Sequence, residues 1–172
     1  MSNETIIPSS YLSDIPWREN RPRSLVVCCS DGRLQNSIDD FLHNHLGVDD
    51  YDRLYAPGGP GALAESSGEN TRANVFRDDL EMLFRAHAIE QVILIFHGAA
   101  EDGPSDACCA HYRRIMPGQS NTDMAHRQIA DMTEVKRYIT AGFPHLDVQA
   151  YRAEVQADHR IHFLTIADAR RA

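Results

Sequence analysis

The sequence lacks three features that would each point to a class of protein. No segment approaches the roughly 20 uninterrupted apolar residues that a membrane-spanning helix needs, and residues 1–20 lack the basic-then-apolar pattern of a secretory signal. A basic excess is also missing, because 25 acidic residues against 17 Lys and Arg give a net charge of -8. We therefore expect a cytoplasmic protein whose partners include neither a membrane nor a nucleic acid.

The sequence also lacks the dispersed cysteines that are typical of secreted disulfide scaffolds. Its four cysteines form two adjacent pairs, Cys28–Cys29 and Cys108–Cys109, whereas a disulfide scaffold spreads its cysteines to join distant loops. In a reducing compartment, these pairs favour metal binding or catalysis. The alternative is that they are small buried apolar side chains.

The length and composition are those of one domain. The chain has 172 residues, of which 42% are hydrophobic, and this is enough to bury a core. Residues 1–23 are polar and contain three prolines, which predicts an extended N-terminal arm. Residues 24–172 are then expected to form a single domain.

Strand and helix patterns alternate along that domain. Short apolar runs predict strands at residues 24–29, 53–56, 91–96, 148–155 and 161–166. Apolar spacing of three and four, together with capping residues, predicts helices at residues 34–46, 70–87, 105–112 and 121–141. The alternation predicts a three-layer α/β fold around a mostly parallel sheet, in which sites form beyond the carboxyl ends of the strands.

Two of these strand ends carry residues that bind metals. Cys29 ends the first predicted strand, and His97 directly follows the third. Asp31 and Arg33 lie two and four residues after Cys29, so on a near-extended backbone the three side chains leave from the same side. Zinc takes thiolate and imidazole ligands, and a catalytic zinc keeps one position open. The pattern therefore indicates a zinc site.

The segment Cys29–Arg33, of sequence CSDGR after an apolar strand, resembles the Cys-x-Asp-x-Arg signature of the β-class carbonic anhydrases. The second signature of that family is His-x-x-Cys. His97 matches its histidine, but the next cysteines are Cys108 and Cys109. The chain thus resembles a divergent member of the family in which an insertion, residues 98–107, interrupts the second zinc motif.

The resemblance implies a β-carbonic anhydrase-like fold with Zn²⁺ as cofactor. Cys29 and His97 would be metal ligands, joined by Cys109 or Cys108. Adjacent residues of the predicted helix point about 100° apart, so only one cysteine can readily face the metal. Cys109 is preferred because the residues after it match the family better. His111 is a further candidate, although we favour an ordinary, partly exposed histidine there.

The implied function is reversible hydration of carbon dioxide to bicarbonate. Asp31 and Arg33 would be the catalytic dyad, in which Asp31 orients a zinc-bound hydroxide and Arg33 holds Asp31. Some relatives instead use this aspartate as a fourth zinc ligand. The loop at residues 56–59 resembles the segment that borders the family's active site, and a homodimer is expected.

Two alternatives remain beside this function. The same zinc site could hydrolyse carbonyl sulfide or carbon disulfide, or the chain could be a non-catalytic zinc-binding or redox-sensing protein. A cysteine-dependent phosphatase is excluded, because it needs five residues between its Cys and Arg. The prolines within residues 57–61 make a dinucleotide-binding loop a poor match.

Overall fold

The computed structural model describes residues 11–65 and 70–166. The strands and α-helices in chain order are β1 (Ser24–Cys29), α1 (Gln35–Asp40), β2 (Tyr51–Ala56), α2 (Asn70–Ala86), β3 (Gln91–Ala99), α3 (Ala110–Ile115), α4 (Asn121–Gly142), β4 (Asp147–Val155) and β5 (Ile161–Thr165). A π-helical turn (Phe41–His45) extends α1, and 3₁₀ turns lie at Gly59–Leu63 and Ser105–Ala107. Among the described residues, no helix combines the length and the apolar character that crossing a bilayer requires.

The five strands form one sheet in the order β2-β1-β3-β4-β5. The pairs among the first four strands are parallel, and only β5 runs antiparallel to its neighbour β4. Parallel neighbours need a long crossover, which the helices supply, whereas the short turn between β4 and β5 permits only a hairpin. The prediction of a mostly parallel sheet is confirmed.

Both faces of the sheet are covered. Leu25 and Val27 of β1 pack in a core that includes residues of α2, α3 and α4, while Val26 and Cys28 pack on the other face with residues of α1 and its π-helical extension. This burial on both faces explains why the sequence of β1 is a continuous apolar run. Each fully buried Leu or Val contributes roughly 1.5–3 kcal/mol. The predicted three layers are therefore present.

The described part of the predicted arm, residues 11–23, contains no helix or strand. It joins the domain at Arg23, whose carbonyl accepts hydrogen bonds from the backbone N–H groups of Glu90 (2.8 Å) and Gln91 (3.2 Å). Residues 1–10 of the arm and residues 167–172 of the domain lie outside the described residues. The division into an arm and one domain stays a prediction.

Two segments around the site differ from the prediction. β3 continues past His97 to Ala99, because β4 pairs with it as far as the register Ala99↔Val155. The prediction of a helix that begins at Ser105 is wrong. Ser105 opens only a 3₁₀ turn, with Pro104 at its N-cap position, and the backbone is then extended through both cysteines until α3 begins at Ala110.

Candidate metal centre

The turn that follows β1 is held by side-chain and backbone hydrogen bonds. The Nε2 group of Gln35 donates to the carbonyl oxygens of Cys29 (3.0 Å) and Asp31 (3.2 Å). The N–H of Ser30 donates to the carbonyl of Ala56, at the end of β2. These contacts fix Cys29 and Asp31 relative to one another at the carboxyl edge of the sheet.

A glycine loop packs directly against this strand end. Gly58 and Gly59 both have positive φ, at 95° and 56°, a region that glycine adopts without the cost that a Cβ imposes. A Cβ on Gly59 would lie 2.8 Å from the backbone nitrogen of Cys29 and 3.0 Å from the carbonyl carbon of Cys28. The loop at residues 56–59, which resembles a family segment, can therefore pack this closely on β1 because position 59 is glycine.

The inserted residues 98–107 bring Cys108 and Cys109 back to the carboxyl edge of the sheet through a folded loop. Asn121 at the start of α4 donates from Nδ2 to the carbonyls of Ala100 (2.9 Å) and Gly103 (3.4 Å), and it accepts a hydrogen bond from the Cys108 thiol (3.1 Å). Because the backbone is extended at Cys108 and Cys109, consecutive side chains leave on opposite sides. Cys108 turns toward Asn121, and Cys109 turns the other way.

Tyr112 anchors α3 behind Cys109. Its hydroxyl donates to Oδ2 of the fully buried Asp131 (2.8 Å), and the Nε group of Arg127 donates to Oδ1 of the same carboxylate (2.7 Å). Burial raises the pKa of Tyr112 well above its usual value, so the hydroxyl remains a donor at neutral pH. The start of α3 is therefore tied to α4.

These elements bring three buried ligand atoms together. Cys29, His97 and Cys109 each place a donor atom within 4.8 Å of the other two. The Sγ atoms of the two cysteines are 3.9 Å apart. Two thiolates at about 2.3 Å from a tetrahedral zinc lie about 3.8 Å from each other, so the pair already has the spacing that zinc imposes. Cys108 and Asp31 are not part of this group.

The imidazole of His97 supports a metal at this position. Only 3% of the residue is exposed, and neither ring nitrogen has a hydrogen-bond partner among the described residues. Buried polar atoms are almost always satisfied. A bound ion would satisfy one of these nitrogens, and a set of two sulfurs and one nitrogen suits zinc.

The two cysteine sulfurs of the group share one hydrogen bond, in which either atom can be the donor. The pKa of Cys29 is lowered, chiefly by this contact with Cys109, and further by electrostatic interaction with the adjacent His97 ring and by the backbone N–H of Gly58. The pKa of Cys109 is raised by the same contact and by burial. Cys28 lies on the other face, and burial raises its pKa to about 12. Thiolate character is therefore concentrated where a cation would bind.

Asp31 and Arg33 form a second cluster beside the group. Nε and the backbone N–H of Arg33 donate to Oδ1 of Asp31 (3.0 and 3.1 Å), and Nη2 donates to Oδ2 (2.7 Å). These hydrogen bonds lower the pKa of Asp31 to about 2. Arg33 also donates to Asp106 of the insertion, from Nη1 to the carboxylate (3.4 Å) and from Nη2 to the backbone carbonyl (3.1 Å). The dyad is fully ionised at neutral pH.

A cavity of about 200 Å³ opens between the dyad and His97. Its polar wall comprises Asp31, Arg33, His97, Asp106 and His159, and its apolar wall comprises Leu34, Pro104, Ala107, Val155 and Ile161. Asp106 and His159 were not predicted as site residues, because the insertion loop and the β4–β5 turn carry no motif that relates them to Cys29.

His111 does not join the metal group. It is buried rather than partly exposed, contrary to our expectation. Its ring packs on Gly58, where a Cβ would approach Cγ to 2.8 Å, and its Nδ1 lies 3.3 Å from Nη1 of Arg72. The residue thus supports the glycine loop.

The fold and this group define an α/β protein with a buried Cys–His–Cys centre at the carboxyl edge of a mostly parallel sheet. Residues 20–149 match the family described as "Putative carbonic anhydrase", and the chain belongs to that family. The family predicted from the first motif is thereby confirmed. An uncharacterised protein of Rickettsia bellii (strain RML369-C) is 28% identical over 133 residues, which cover 77% of this chain and 76% of that protein.

Two solved structures are similar at low sequence identity. The β-carbonic anhydrase isoform I of Trichomonas vaginalis aligns with a TM-score of 0.47 and 13% identity, over 88% of this chain and 86% of that one. The β-carbonic anhydrase CcaA aligns with a TM-score of 0.44 and 14% identity, over 87% of this chain and 80% of that one.

Proposed function

We propose that the chain is a zinc enzyme that catalyses the reversible hydration of carbon dioxide to bicarbonate. The observation that carries the proposal is the buried group of Cys29, His97 and Cys109, with zinc-like sulfur spacing, in a chain of the carbonic anhydrase family. These three residues would hold the ion. When bound, zinc supplies the Lewis acidity that makes water a nucleophile near neutral pH.

Asp31 would orient the attacking oxygen. Three hydrogen bonds from Arg33 occupy both acceptor sites of Oδ1 and one of Oδ2, and a carboxylate offers about four such sites. Oδ2 therefore retains one acceptor site, which can accept a hydrogen bond from the nucleophile and so direct a lone pair of its oxygen toward the substrate. Arg33 keeps Asp31 ionised and fixes its plane.

The cavity suits a small linear substrate. Its volume is about 200 Å³, and Leu34, Val155 and Ile161 give it an apolar side next to the dyad. An apolar wall accepts uncharged carbon dioxide, while the polar wall faces the charge that develops as bicarbonate forms. Carbonyl sulfide has the same shape, so a direct comparison of the two substrates is part of the test.

The test is stopped-flow hydration by the zinc-loaded protein, with carbonyl sulfide hydrolysis measured side by side. Asp31→Asn replaces one acceptor oxygen with an NH2 donor and removes the charge that pairs with Arg33, but it removes no ligand, so activity should fall at least 10–100-fold with zinc retained. Asp158→Asn is a matched control, because Asp158 forms the same i, i+2 pair with Arg160 at the β4–β5 turn. It should retain activity.

Each other outcome rejects part of the proposal. Full activity in Asp31→Asn would reject the role of the dyad. Faster turnover of carbonyl sulfide than of carbon dioxide would reject the proposed substrate, and stoichiometric zinc without either activity would indicate a non-catalytic zinc protein. Family membership also supports a homodimer, whose mass light scattering would measure.

A further inference from the structure

A buried arginine lies behind the metal-binding end of β3. Arg152 of β4 is 4% exposed and pairs in register with Phe96, the residue before His97. Removing a guanidinium from water costs several kcal/mol unless its hydrogen bonds are satisfied. The contacts of Arg152 show what the buried charge holds in place.

Arg152 and Gln128 form a relay that ends on the backbone of His97. The Nε group of Arg152 donates to Oε1 of Gln128 (2.9 Å), and Nη1 pairs with Glu154. Gln128, on α4, is 1% exposed, and its Nε2 donates to the carbonyl oxygen of His97 (2.8 Å). Nη2 of Arg152 donates to the carbonyl of Ala99 (2.9 Å).

These side chains hold a part of β3 that has a strand on one side only. β1 pairs with β3 as far as Cys28↔Ile95, whereas β4 continues to Ala99↔Val155. The carbonyls of His97 and Ala99 lie two residues apart and therefore point the same way. Both accept hydrogen bonds from buried side chains.

Gly98 allows the relay to come this close. A Cβ at Gly98 would lie 2.9 Å from Nη2 of Arg152, which is closer than real Cβ contacts come. The backbone at the metal end of β3 is thus held by Gln128 at the carbonyl of His97 and by Arg152 at the carbonyl of Ala99.

We propose that Gln128 and Arg152 are positioning residues that set the direction of the His97 imidazole toward the metal. The proposal rests on the assignment of His97 as a zinc ligand. Loss of the outer-shell groups that orient a metal ligand lowers metal affinity about 10–100-fold, and this relay would orient His97 through its backbone carbonyl. Neither Gln128 nor Arg152 belongs to the candidate metal group.

Gln128→Glu is the most direct test. Its carboxylate still accepts the hydrogen bond from Arg152, so the buried charge stays paired, but the donor to the His97 carbonyl is lost. We expect zinc affinity, measured by chelator competition, to fall at least 10-fold, and the thiolate-to-cobalt charge-transfer bands of the cobalt-loaded protein to shift. Gln149→Glu is the control, because Gln149 pairs with Ile93 of β3, well before His97, and its side chain hydrogen-bonds Asp147 and Tyr151.

A second variant covers a failure of Gln128→Glu to fold. Gln128→Met keeps the volume and removes both polar groups, and it should give the same loss of affinity and the same spectral shift. Wild-type affinity and an unchanged cobalt spectrum in a folded Gln128 variant would overturn the positioning role, as would an equal loss in Gln149→Glu. Wild-type cobalt protein without thiolate bands would reject the ligand assignment itself, which separates the two failures.

Discussion

Replacing Gly59 by alanine tests how closely the glycine loop is fitted to the metal centre. The new Cβ would lie 2.8 Å from the backbone nitrogen of Cys29 and 3.0 Å from the carbonyl carbon of Cys28. Backbone atoms of an interior strand cannot move aside as a flexible side chain can. The substitution must therefore displace either the loop or the end of β1.

The expected loss in the free energy of unfolding has two parts, which a control variant separates. A positive φ costs a non-glycine residue about 1–2 kcal/mol, and overpacking a tight site costs a further 1–3 kcal/mol. Gly118 has φ 77° with nothing within 4 Å of its ideal Cβ, so Gly118→Ala isolates the first part. We expect the free energy of unfolding to fall by about 2–5 kcal/mol in Gly59→Ala and by about 1–2 kcal/mol in Gly118→Ala.

The assay is urea unfolding of both metal-free variants, followed by zinc affinity from chelator competition. Gly59→Ala should also weaken zinc binding, because the displaced atoms belong to Cys29, whereas Gly118→Ala should bind zinc like the wild type. Equal destabilisation by the two substitutions, with unchanged zinc binding in both, would refute the close fit.

Two further substitutions test the ligands and the dyad. Cys109→Ser should lose stoichiometric zinc in elemental analysis, while Cys108→Ser, whose thiol contacts Asn121, should keep it; the reverse result would exchange their roles. Asp31→Asn should lower the free energy of unfolding by about 1 kcal/mol above pH 4. The lowered pKa of Asp31, about 2, means that this difference is present above its unfolded pKa and disappears as pH falls from about 4 to about 2. A difference that grows on acidification would contradict the pairing.

The fold was largely predictable because its strands are short apolar runs that helices separate. β1 is an example, since burial on both faces leaves no polar position in residues 25–29. The full extent of β3 was not predictable. Gly98 and Ala99 carry no strand signal of their own, and their pairing depends on β4, which lies some 50 residues further along the chain.

The centre was predictable where a local motif carries it and not where the chain folds back. Cys29, Asp31 and Arg33 lie within five residues, so their relation follows from spacing alone. The choice between Cys108 and Cys109 depends on an extended backbone after a 3₁₀ turn, whereas the sequence suggested a helix. Gln128 and Arg152 had no signal, because their relation to His97 is purely tertiary.

X-ray absorption at the zinc edge of the zinc-loaded protein tests the central claim most directly. If Cys29, His97 and Cys109 hold the ion, the spectrum should show two sulfur ligands at about 2.3 Å and at least one nitrogen at about 2.0–2.1 Å. A shell of nitrogen and oxygen alone, or one of four sulfurs, would contradict it.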